Sequence, residues 1–182
     1  LRSLFKIFTR KKDSEVISHS DELLNAEQLM KEGKLGDSLK EIEKLERKGE
    51  LREEDRVGCS ILKSSIFTSM GEEEKGLQLA EQALEMGRKL EAKERCIDAN
   101  IAKADALYRL GRLENALKAI EEAESILETI PEKESTDFAE REAYLKHLEG
   151  TICWALGKLT LALEHLESSL KIREKLGNKK YI

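Results

Sequence analysis

The side chains best suited to chemistry in this chain are three histidines, His19, His147 and His165, and three cysteines, Cys59, Cys96 and Cys153. Metal binding needs several such donors at close spacing, as in C-x-x-C or H-E-x-x-H, so that they converge on one ion. No His or Cys here pairs with another at that spacing. Nucleophilic catalysis needs a Ser, Cys or Thr beside a base, and phosphate transfer needs a glycine-rich cradle; neither signature is present. Runs such as Glu72-Glu73-Glu74 and Glu121-Glu122 read as solvated helix faces. The sequence therefore predicts no catalysis, no metal and no cofactor. The cysteines are odd in number and scattered, without a secretory signal, and read as reduced, packed thiols of a cytoplasmic protein.

What remains is the chemistry of recognition. Ile101, Asp105, Tyr108 and Arg109 share one helical face. Tyr144, His147, Thr151 and Trp154 follow one another at spacings of three, four and three and share a second. Three of the four Tyr and Trp residues of the chain thus fall on two faces. Tyr and Trp bury a large area with few rotamers, which makes them effective anchors for a protein partner. The competing expectation is that they, and Trp154 above all, pack between neighbouring elements.

The elements that must position these residues are announced by a repeated turn. Gly33, Gly71, Gly111 and Gly157 lie 38, 40 and 46 residues apart, each between two segments of helical apolar periodicity. Glycine suits a helix C-terminus that must turn left-handed. A small residue stands seven positions before each turn glycine (Ala26, Ser64, Ala104, Gly150) and another five after it (Ser38, Gly76, Ala116, Ala162). Such residues let two helix axes approach to about 8 Å. Ala83, Ala123 and Ser169 give a third small position, which the first unit replaces with Leu45. The periodicity predicts helices near 19–32, 35–48, 53–70, 73–90, 93–110, 113–129, 137–156 and 159–175, with no sheet. Pro131 occupies the longest connection, and Asp137-Phe-Ala-Glu140 has the spacing of a capping box.

These repeated hairpins resemble the tetratricopeptide repeat over about residues 19–176. The longer unit points to the variety seen in kinesin light chains and Pins-type adaptors. The resemblance implies an all-α, right-handed superhelical solenoid of about four antiparallel hairpins, with units near 19–52, 53–92, 93–134 and 135–178. It also implies that the first helices line a concave face that binds protein or peptide. The aromatic early in the second helix is replaced here by Leu35, Glu73, Leu113 and Leu159, and the tryptophan usual in the first helix is absent from its place. The positions that grip a C-terminal carboxylate in some members are Leu23 and Glu27 here, an apolar and an acidic residue that cannot serve as such a clamp.

Charge divides the chain. Net charge is −5, yet residues 1–12 carry Arg2, Lys6, Arg10, Lys11 and Lys12 and no acid. The rest is thus acidic, which does not suit nucleic acid. Within residues 1–12, Leu1, Leu4, Phe5 and Phe8 recur at helical spacing. Residues 1–18 are read as a basic amphipathic lead-in or cap, with a membrane-surface helix as the alternative. No apolar run reaches the roughly 20 residues of a bilayer span. Two further functional expectations stand beside the scaffold: a regulatory sensor segment of a larger signalling protein, and a membrane-peripheral adaptor held by residues 1–12. The chain begins at Leu1, not Met, and Lys179-Lys-Tyr-Ile182 reads as the start of another helix, so a longer natural protein is expected. The apolar residues of 159–175 are then expected to drive self-association unless another unit covers them. Partner identity, pathway and oligomeric state are not encoded legibly.

Overall fold

The computed structural model describes residues 21–49, 51–131 and 133–177. Of these residues 83% are helical, and none is in a strand. The elements are α1 (21–31), α2 (Leu35–Arg47), α3 (Glu53–Ser69), α4 (Glu73–Lys89), α5 (Lys93–Arg109), α6 (Leu113–Glu128), α7 (Thr136–Ala155) and α8 (Leu159–Lys175). The boundaries lie within about a residue of those the periodicity predicts, apart from the start of α1, which falls outside the described residues, as do residues 1–18 and His19.

The turns explain this agreement. Gly33, Gly71, Gly111 and Gly157 all have positive φ, between 73° and 84°. At each, the next residue's N–H reaches back to close the helix, as in Glu72 N to Phe67 O at 2.8 Å and Arg112 N to Leu107 O at 2.9 Å. The α4–α5 connection has the same geometry without a glycine. Glu91 takes φ 54°, and Ala92 N bonds Gly87 O at 3.0 Å. A left-handed glutamate costs energy that glycine does not.

The expected capping box is displaced. Ser135, not Asp137, is the N-cap of α7, and its hydroxyl accepts from Phe138 N at 3.1 Å. A cap requires only an oxygen three residues ahead of the N–H it accepts, and Ser135 supplies it two residues before Asp137.

Small residues set the hairpin contacts. Ala26, Ser38, Ser64, Ala104 and Ala116 are fully buried. Ser38 donates to Ala26 O at 2.6 Å and Ser64 to Gly76 O at 2.7 Å, so in both hairpins a hydroxyl crosses where the backbones are closest. In the last hairpin, a Cβ on Gly150 would stand 2.7 Å from Leu166 Cγ and 3.1 Å from Ala162 O. Ser169 then donates to Ala143 O at 2.7 Å, tying α8 to α7 one turn further on.

Helices also pack between hairpins: α3 against α5, α5 against α7, and α4 against α5. The largest core cluster runs from Leu77 through Ala104 and Ile120 to Leu145 and Ile152. Val57, Ala80, Leu84, Cys96 and Ala102 form a second, and Leu23, Ala26, Ile42 and Ile66 a third. The three cysteines are buried and unpaired, and burial pushes the Cys59 thiol up to about 11. Asn100 is fully buried with neither side-chain polar atom bonded, a cost placed in the middle of α5.

Candidate partner-binding site

Both predicted faces lie on first helices of hairpins, α5 and α7, and these two helices pack directly on one another. The side chains divide by depth. Ile101 and Tyr108 are half-buried and packed against the main core cluster. Asp105 sits half-buried beside exposed Arg109, whose Nε reaches it at 3.3 Å. On α7, Tyr144 is 42% exposed and Trp154 63% exposed. Trp154 is thus not packed between the described repeats. Thr151 turns its hydroxyl back to His147 O at 2.8 Å, so its polar group is occupied within the helix.

His147 connects the two faces electrostatically. Burial pushes it below the usual imidazole range, the positive charge of Arg173 on α8 adds to that, and Asp105 on α5 pulls the other way. His147, on the exposed side of α7, thus feels charge from both α5 and α8.

Three residues outside the predicted set frame the same surface. Arg141 forks onto Asp98, Nε to Oδ1 at 2.7 Å and Nη2 to Oδ2 at 3.0 Å, joining α7 to α5. Burial disfavours the charge on Arg141, but the hydrogen bonds and charge of Asp98 outweigh it, and the guanidinium is held more firmly protonated. Arg173 approaches from α8. Asp98 lies seven residues before Asp105, and Arg141 three before Tyr144, so extending each face by one helical repeat finds both. No local pattern announces Arg173, because α8 approaches α7 only in the folded hairpin.

The arrangement offers two exposed aromatic rings on α7, a charged pair at each end of the α5 face, and an imidazole between. The Asp98–Arg141 fork and the Asp105–Arg109 pair hold these charged side chains in place. A separate open groove of about 280 Å³ lies among α2, α3 and α4, where Lys75 Nζ stands 3.4 Å over the Phe67 ring.

The sequence matches no family model, and no curated protein matches it. Among solved structures, the fold is similar to the crystal structure of BtubC (BKLC) from P. vanneervenii, with a TM-score of 0.62 and 17% identity over 92% of this chain and 75% of that one.

Proposed function

We propose that the chain is a tetratricopeptide-like scaffold: a right-handed superhelical stack of hairpins that binds a protein or peptide along the face of its first helices, without catalysis. The observation that carries this reading is the pair of exposed rings on α7, Tyr144 and Trp154, beside the ordered charges of α5. Large aromatics left in solvent next to a rigid polar frame are the composition of a recognition patch, in which aromatic anchors carry most of the energy. The likeness in fold to BtubC supports the helical-hairpin architecture only. No helix among the described residues is long and apolar enough to cross a membrane. The scaffold is proposed to work in the cytoplasm.

The test is an affinity measurement on a captured partner. Tyr108→Ala should weaken its binding and also lower the thermal midpoint, because the ring leans on the core. Asp105→Lys should weaken binding by tenfold or more while the midpoint moves little. Trp154→Ala, at an exposed position, should do the same. A partner whose affinity ignores all three substitutions does not use this face.

A further inference from the structure

Two neighbouring seams of the repeat share one plan and differ in how far they are closed. In each, a first helix is the floor and two second helices are the walls. The α2–α4 seam over α3 is the open groove of about 280 Å³, lined by Leu39 of α2, Lys63 and Phe67 of α3, and Gln78 and Gln82 of α4. The turn glycines Gly33, Gly71 and Gly111 set the register to the next seam, in which α4 and α6 are the walls and α5 the floor. Lys63 corresponds there to Lys103, and Phe67 to Leu107. Phe67 is half-buried. Leu107 is 4% exposed and lies in one core cluster with Leu77 of α4 and Ile120 of α6. The α4–α6 seam is thus shut where the α2–α4 seam stands open.

Charged side chains at the rim close it. The backbones of α4 and α6 rest on α5 rather than on each other. Arg112 at the start of α6 pairs with Glu74 of α4, and Arg88 near the end of α4 pairs with Glu122 of α6 at 3.0 Å. Lys103 on the floor reaches Glu81 of α4 at 3.3 Å. The α2–α4 seam cannot make the two outer pairs. Gly36 stands there in place of Glu74, Glu72 in place of Arg112, and Gln82 in place of Glu122. All four side chains of the outer pairs are about half-exposed, so these pairs are weak and salt screens them.

Beneath the rim lies a residue that favours opening. Asn100 precedes Lys103 by three residues and Leu107 by seven, and so shares their face of α5. It is fully buried, and neither its Nδ2 nor its Oδ1 has a hydrogen-bond partner in the protein. An amide held this way penalises the closed state, and the penalty ends once water reaches it. Its counterpart on α3, Ser60, is only half-buried. We propose that the α4–α6 seam is a conformational hinge, held shut by exposed ion pairs over an unsatisfied amide, and that it opens to the arrangement the α2–α4 seam already has. Opening tilts the α5–α6 hairpin against the α3–α4 hairpin and alters the bend of the stack. The left-handed Glu91 in the link between α4 and α5 places backbone strain at the same joint.

Spin-label distance measurements across the seam test this. Labels go on Gln78→Cys of α4 and Lys118→Cys of α6, exposed and matching positions, in the full chain with its native cysteines buried. At low salt the pair should give one short distance. Near 1 M salt, where charges act over only about 3 Å, a longer-distance population should grow. Glu74→Gln/Glu122→Gln should show that population already at low salt. Asn100→Leu keeps the branched shape of the side chain without its polar atoms; it should hold the short distance at both salts and raise the thermal midpoint. A distance that neither salt nor Glu74→Gln/Glu122→Gln lengthens overturns the proposal, whether or not Asn100→Leu folds. So does a folded Asn100→Leu chain that opens with salt as the wild type does. Labels on Lys40→Cys and Gln78→Cys, across the α2–α4 seam, should be indifferent to salt; an equal shift there would mean that salt loosens the whole chain, and would also overturn it.

Discussion

At the scale of single residues, His147 is the most informative reporter. Its folded pKa is depressed below the ordinary 6.5 by burial and Arg173. The unfolded chain therefore takes up the proton first as pH falls. The contribution of this site to stability is intact above about 6.5 and is lost as pH drops from there through the folded value. A proton NMR titration should place the His147 midpoint below 6.5. Arg173→Ala should raise it, and Asp105→Asn should lower it further; a midpoint indifferent to both would mean that the three groups do not face one another. The sequence made Tyr144, His147 and Trp154 legible as one face because helical spacing is local. It did not show that Ile101 and Tyr108 lean on the core. Nor did it reveal the Asp98–Arg141 fork, whose partners stand 43 residues apart and meet only when α5 and α7 pack.

At the scale of elements, turns and small residues decide. Glu91 holds a left-handed conformation that every tight hairpin turn assigns to glycine. Glu91→Gly should raise stability by about 0.5–1 kcal/mol, the strain relieved less the entropy that glycine loses on folding. Gly150→Ala should act in the opposite sense. Its new Cβ meets Leu166 and the Ala162 carbonyl, an overpacking cost of roughly 1–3 kcal/mol that the better helix propensity of alanine only partly offsets. Glu73→Leu, at a position occupied by leucine in the other hairpins, should be nearly neutral. Urea melts of the three variants should give that order, and an unharmed Gly150→Ala would contradict the close approach of α7 and α8. The helix ends were legible because glycine announces a left-handed turn. The two exceptions have separate causes. The α4–α5 turn reaches that conformation with a glutamate, and the α7 cap uses Ser135 without a Glu or Gln three residues on, so each lacks the residue by which its type is recognised.

At the scale of the whole molecule, the helices form a chain of neighbours, and each owes its burial to the ones beside it. Opening should therefore begin at the ends. Amide hydrogen exchange should find greatest protection in α5, which packs against α3, α4, α6 and α7, and least in α2 and α8, with a graded rise between. Uniform protection across all helices would show instead a single cooperative block. The α4–α5 link has a further consequence. Its backbone repeats the turn found inside each hairpin, so from α3 to α6 nothing in the chain trace separates a unit from the join between units. Excising residues 72–111 would fuse one turn glycine to the residue after the next, and excising 92–131 would break the register at the long connection instead. The number of helices is thus editable in one half of the molecule and fixed in the other, and an ancestor could have lengthened this array by copying from its middle without inventing a new joint.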